Sequence, residues 1–169
     1  MPKNFHGVTS RPPNDMEQIR IGKTNLKASR LAYGCWRIAG TWNARKVTAK
    51  AREAGVKAVL NAHEAGFTFF DLADIYCEGV SESLFGLALK QSGALAKSAV
   101  IATKCGIRIP ENSEPYRYDL SGDYIVQSCE QSLQRMGVDC IDIYQLHRPD
   151  WLMDPESVAT AFSKLKKAG

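Results

Sequence analysis

The sequence predicts an α/β fold built on a parallel sheet. Three observations point to it. Short, mainly apolar runs recur at residues 31–35, 67–71, 99–103 and 141–146, the last three carrying Ile, Val or Phe. Each is followed by a longer segment with apolar residues at helical spacing. The strand starts lie 32 to 42 residues apart, which fits a strand, a crossover helix and two connections. With 169 residues, the chain can bury one substantial core.

The elements follow in order. Residues 1–15 hold three prolines and little apolar content, and are expected to form a flexible tail ahead of one domain spanning 16–169. A β-hairpin is expected next, with arms at 18–21 and 26–29 around Gly22-Lys23-Thr24-Asn25. The first strand, 31–35, leads to a helix over 43–65. Val47, Ala51, Ala54, Ala58 and Ala62 share its small-residue face, and Gly66 ends it. The second strand closes at Asp71. A second helix starts near Ser81 and is expected to bury Leu84, Leu87 and Ala88. The third strand closes before Lys104. A long loop, 106–120, carries Pro110, Pro115, Tyr116 and Tyr118, and loops of such length are often functional. Ser121 caps a third helix that buries Ile125, Cys129, Leu133 and Met136 and stops at Gly137. The fourth strand closes before His147. Asp154-Pro155 opens the fourth helix, which buries Val158, Ala161, Phe162 and Leu165.

Composition narrows the partners. A 44% apolar and 24% charged content is ordinary for a globular protein. The net charge, 22 − 18 = +4, is mild and forms no basic stripe among aromatics, so no nucleic-acid partner is expected. The apolar runs are too short to span a membrane. The N-terminus has no apolar stretch of the secretory type. Five cysteines (35, 77, 105, 129 and 140) lack any Cys-x-x-Cys pair and read as reduced thiols of a cytoplasmic protein.

Two architectures suit the strand–helix order, a doubly wound open sheet or a (β/α)8 barrel. No Gly-x-Gly-x-x-Gly follows the first strand, which weighs against the open dinucleotide-binding sheet. Polar residues at successive strand ends favour the barrel. These are Asp71, Tyr76 five residues beyond it, Lys104 and His147. A phenol, with an ordinary pKa of about 10, holds its proton at neutral pH and can hand it to an alkoxide forming at a carbonyl. A neighbouring ammonium, Lys104, eases that proton exchange, and Asp71 supplies the lysine's counter-charge. His147 can hydrogen-bond the carbonyl oxygen. Taken singly, each residue is more often a cap, a solvated charge or packing; their shared placement is what points to chemistry.

Phe69-Phe70-Asp71-Leu72-Ala73-Asp74-Ile75-Tyr76, Ala102-Thr103-Lys104-Cys105-Gly106 and Leu146-His147-Arg148-Pro149-Asp150 together resemble the aldo-keto reductase superfamily. The hairpin and Leu31-Ala32-Tyr33-Gly34-Cys35-Trp36-Arg37 match as well. Residues 150–155 resemble a YdhF-like bacterial branch. The resemblance covers about 16–169. It implies the N-terminal half of a (β/α)8 TIM barrel, preceded by a β-hairpin, and NADPH-dependent (or NADH-dependent) reduction of a small aldehyde or ketone. It also implies a tetrad in which Tyr76 is the proton donor, Asp71 and Lys104 tune it, and His147 orients the carbonyl. Gly34, Cys35, Trp36 and Asp71 match positions near the nicotinamide. Trp36, Trp42 and Trp151 follow strand ends and either line an apolar substrate mouth or pack the rim.

Two departures from the family pattern stand out. Cys77 occupies a position where the family usually has glycine, so its side chain is expected to affect the aim of Tyr76. The family also continues past the position of Gly169 into a fifth strand. The chain is therefore expected to be truncated, to lack most cofactor-binding residues and to leave two barrel edges open. A homodimer through those edges is one expected consequence, and an inactive half-barrel remnant acting through self-association is the alternative reading. Cys35, Cys77, Cys105 and His147 would form a zinc site only if they converged, and their wide spacing argues for no metal.

Overall fold

A computed structural model describes residues 16–110 and 115–169. The expected tail, 1–15, lies outside the described residues, as does 111–114 of the long loop.

The hairpin forms as expected from β1 (Gln18–Arg20) and β2 (Lys27–Ser29), paired antiparallel. There follow β3 (Ala32–Gly34), a 3-10 turn at Ala44–Lys46, α1 (Ala49–Glu64), β4 (Phe69–Asp71), α2 (Val80–Gln91) and the short α3 (Gly93–Ser98). Next come β5 (Val100–Cys105) and a small antiparallel pair, β6 (Ile107–Arg108) with β7 (Arg117–Tyr118). The chain continues through α4 (Gly122–Met136), β8 (Ile143–Leu146) and α5 (Pro155–Ala168). The strands β3, β4, β5 and β8 lie side by side in that order, all parallel. This is the α/β arrangement of four βα units, half the complement of a (β/α)8 barrel. Among the described residues, no helix is long and apolar enough to cross a membrane.

The register explains which residues share a face. Asp71 pairs with Gly34 and with Ala102, and Lys104 pairs with Gln145. Side chains alternate along a strand. One face of the sheet therefore carries Gly34, Asp71, Lys104 and, one step past β8, His147. The opposite face carries Tyr33, Phe70, Ile101 and Thr103 into the helix layer. Phe70, Leu72, Leu84, Phe85 and Leu95 are fully buried there. A smaller cluster, Cys105, Ile125 and Ala161 with Tyr144, Val158 and Phe162, seals α4 and α5 onto the sheet.

Several boundaries differ from expectation, each for a local reason. The first helix begins at 49, not 43. Val47 has extended backbone, and the Thr48 side chain accepts from the amide of Ala51 as N-cap. With Val47 outside the helix, the buried face is rotated to Gly55, Val56, Val59 and Ala62, and Ala54 is exposed. Leu87 is exposed, because α2 packs through Leu84, Phe85, Ala88 and Leu89. Helix α3 and the β6–β7 pair fall where no regular structure was expected. The third strand runs two residues further than expected, so Lys104 lies inside it. The fourth begins at 143, because the Asp142 carboxylate takes the amide of Ile101 (2.8 Å) in place of a main-chain partner. The caps at Ser121, Gly137 and Asp154-Pro155 stand where the sequence put them. In α5 only Ala161 is buried, while Val158, Phe162 and Leu165 are half-buried.

Candidate active site

Asp71 ends β4, and Lys104 lies on the adjacent β5, both on the sheet face away from the helices. The Lys104 ammonium lies 2.8 Å from Asp71 Oδ1 and 2.9 Å from Oδ2. It also donates to the carbonyl of Leu72 (2.6 Å) and to the hydroxyl oxygen of Tyr76 (3.3 Å). All three donors of the ammonium are thus used. Because the Tyr76 oxygen accepts from lysine, its own proton is left to point elsewhere. The chain after β4 still runs beside β5, since the Leu72 and Asp74 amides donate to Ala102 and Lys104 carbonyls (2.8 and 3.0 Å). That pairing carries Tyr76 over Lys104.

His147 extends the β8 pairing by one bond, its amide donating to the Cys105 carbonyl (2.8 Å). Its ring meets the Tyr76 ring edge-on, with centroids 5.8 Å apart. Its Nδ1 is buried without a hydrogen-bond partner. Burial holds the imidazole below its ordinary pKa of 6.5, and the nearby Lys104 and Arg148 cations push the same way. The ring is therefore neutral at neutral pH, with one N–H to donate. Asp71, Tyr76, Lys104 and His147 are brought together as the strand ends suggested.

The turn that bears Tyr76 has an unusual backbone. Cys77 (φ 51°) and Glu78 (φ 55°) are both left-handed, and Gly79 (φ 84°) continues the same hand. The Cys77 side chain is wholly buried in the core, and burial raises its thiol pKa. A non-glycine residue in this conformation is costly and persists only where packing holds it. Cys77 thus acts on the turn from the core side.

The residues matched to a nicotinamide site divide. Gly34 is exposed on the site face, and Trp36 is 49% exposed. Cys35 has its side chain in the core, its thiol pushed far up by burial, and offers only backbone; its amide donates to the Asp71 carbonyl (2.8 Å). Trp36 and Trp42 pack against each other at 5.3 Å, with the Arg37 guanidinium 5.6 and 5.9 Å from their rings. Trp151 stands fully exposed and is not part of this aromatic pair. Among the described residues, no three His, Cys, Asp or Glu side chains gather as a metal site.

Sequence reading passed over the groups behind the site. Glu82 looks like an ordinary acidic residue in the first turn of a helix, yet it is fully buried and accepts from Thr103 and Arg135. Asp74 has an unpartnered buried oxygen, and its carboxyl is pushed up to about 7 by burial and by Glu82. The available signal was their place beside core residues, Leu72 and Ala73 before Asp74 and Leu84 and Phe85 after Glu82.

The Aldo/keto reductase family model matches residues 30–169. The chain is 38% identical over 159 residues to the uncharacterized oxidoreductase YcsN of Bacillus subtilis, covering 91% of this chain and 50% of that protein. It is 35% identical over 156 residues to the oxidoreductase YdhF of Escherichia coli, again covering 91% and 50%. Among solved structures, the holo form of aldo-keto reductase AKR11C1 from Bacillus halodurans superposes with a TM-score of 0.76 at 29% identity, covering 91% of this chain and 47% of that one. The chain spans about half the length of the relatives it matches. With the family matched over most of its length and the same barrel units in the superposed structure, the chain belongs to the aldo/keto reductase family.

Proposed function

We propose that the site reduces the carbonyl group of a small aldehyde or ketone to an alcohol, with Tyr76 as proton donor. The observation that carries this reading is the Lys104 ammonium, bonded to Asp71 and to the Tyr76 oxygen at once. A carbonyl oxygen placed at the Tyr76 hydroxyl can accept its proton as negative charge develops there. The ammonium, already against the phenol oxygen, stabilises the phenolate left behind. Asp71 holds that ammonium in place and balances its charge. His147, neutral and edge-on to the Tyr76 ring, would offer an N–H to the same carbonyl oxygen.

NADPH, when bound, supplies the hydride. The residues present fit its nicotinamide end. Exposed Gly34 and half-exposed Trp36 stand beside Asp71 on the site face, and the buried, unpartnered His147 nitrogen leaves a polar position open. Gly34, the Cys35 backbone, Trp36 and Asp71 would hold that end. The Trp36–Trp42 pair would form an apolar wall of the substrate mouth, with Trp151 as an outer contact.

The test is NADPH oxidation by the purified chain across a panel of aldehydes and ketones, with tryptophan fluorescence following cofactor binding. Aldehyde-dependent oxidation that falls at least ~100-fold in Tyr76→Phe is expected. Turnover unchanged by that substitution would refute the assigned donor. Absence of NADPH binding at millimolar cofactor would refute reduction by this chain on its own.

A further inference from the structure

Behind the proposed site lies a charged pair whose presence stability alone does not explain. Glu82 is fully buried in the first turn of α2. Its Oε2 accepts from Arg135 Nε at 2.6 Å, and its Oε1 accepts from Thr103 Oγ1 at 2.6 Å. Arg135 also donates to Ser132 Oγ (3.0 Å). The Glu82 side chain is wholly removed from water, while Arg135 keeps 25% of its side chain exposed. Burying a carboxylate is costly, and an apolar side chain of similar volume often serves stability as well or better. A buried carboxylate held by a partly exposed arginine in such a place invites a role in fixing geometry.

The three partners of this cluster sit at informative places. Thr103 is the residue before Lys104 on β5, its side chain facing the helices while Lys104 faces the site. Glu82 lies in the first turn of the helix that immediately follows the Tyr76 turn. Arg135 lies near the end of α4, which comes close enough to α2 that a Cβ at Gly86 would sit 2.4 Å from the Met136 carbonyl oxygen. Gly86 is one helical turn beyond Glu82, so this close approach brings Arg135 onto Glu82. The Arg135 stem then closes over Gly79, where a Cβ would lie 2.6 Å from Arg135 Cδ. Gly79 is the last of the three left-handed residues after Tyr76. The pair thus grips the Tyr76 turn at its exit and the Lys104 strand at its adjacent residue.

We infer that the Glu82–Arg135 pair is a positioning device that sets the Tyr76 ring against Lys104 and His147 by tying the left-handed turn 77–79 to β5 through Thr103. The inference rests on the reading of Tyr76 and Lys104 given above for its catalytic meaning, but its geometry can be measured without turnover. Neither residue touches the reacting atoms; both act through the turn.

The test uses the edge-on contact of Tyr76 with His147 as a reporter. In proton NMR, the His147 ring resonances, assigned by loss in His147→Asn, should show a cross-peak to the Tyr76 ring and a ring-current shift. The double variant Glu82→Met with Arg135→Met leaves no orphaned charge. It is expected to keep the parent circular dichroism and cooperative melting while losing the cross-peak and moving the His147 shifts. A folded double variant with both signals unchanged would overturn the inference. If the double variant does not fold, Thr103→Val decides, since it removes only the hydroxyl link to Glu82. A weakened cross-peak in that variant supports the device, and an unchanged one overturns it. The readout needs neither cofactor nor substrate, so a chain that fails to bind NADPH sinks the proposed function and leaves this result readable.

Discussion

Replacing Asp74 by asparagine should make the protein's stability less dependent on pH, by an amount that follows from one buried oxygen. Asp74 Oδ1 is buried with no hydrogen-bond partner, and the carboxyl is pushed from 3.8 to about 7, chiefly by burial and then by the Glu82 carboxylate. Arg135, Lys104 and the Ile75 amide oppose this and do not cancel it. A folded-state value above the unfolded one means that the native state binds the proton more tightly between roughly pH 4 and 7. Stability from this group is therefore full below pH 4 and is lost as pH rises through about 7. The whole gap is worth ~4 kcal/mol at 1.36 kcal/mol per pKa unit. Between pH 8 and pH 5 the recovered part is about 2–3 kcal/mol. Urea unfolding of the parent and of Asp74→Asn at both pH values isolates it, because every other titrating group is common to the two proteins. The parent should gain about 2–3 kcal/mol over the variant on going from pH 8 to pH 5, a relative midpoint shift of about 1 M. Parallel pH profiles would refute the reasoning, since they would mean that water or a moving partner reaches Asp74 in the native state.

Other expectations use different probes. The His147 imidazole should titrate below 6.5 by NMR, and its contribution to stability is full above 6.5 and lost as pH falls through the folded value. Lys104→Met, which removes one of the two cations depressing it, should move that midpoint upward; a midpoint unmoved by the substitution would show that Lys104 contributes nothing to the depression. Gly86→Ala places a methyl 2.4 Å from the Met136 carbonyl oxygen. Despite alanine's better helix propensity, it should destabilise by about 1–3 kcal/mol in denaturant unfolding, and a neutral result would mean that α2 and α4 part easily.

Much of the fold is legible along the chain because it is written in local chemistry. Ser121 and Asp154-Pro155 start helices through their own side chains and ring, and Gly137 stops one in the left-handed region. The parallel strands show as apolar runs because their helix side is core, with Phe70 and Ile101 buried there. The errors have a common origin in contacts between segments far apart in sequence. Asp142 reads as a strand residue until its carboxylate captures the Ile101 amide across the sheet. Leu87 reads as core until the packing of α2 turns it outward. Glu82 draws no notice along the chain, because its partner Arg135 lies 53 residues on.

The sequence alone determined the chemistry on offer. It placed a carboxylate, a phenol, an ammonium and an imidazole at the ends of successive parallel strands, because strand termini and residue types are local properties. It also marked Cys77 as an odd residue after the tyrosine. Only the tertiary structure decided how these groups meet. The registers of β4, β5 and β8 put Asp71, Lys104 and His147 on one face, since a one-residue slip would have sent each to the opposite side. The Lys104 ammonium then bridges Asp71 and Tyr76, which no spacing along the chain could specify. The turn that aims Tyr76 is held from behind by Cys77, Gly79 and the pair of buried Glu82 with Arg135. Those contacts exist only once two helices have packed, because the cost of burying the Glu82 charge is offset only when Arg135 arrives with it.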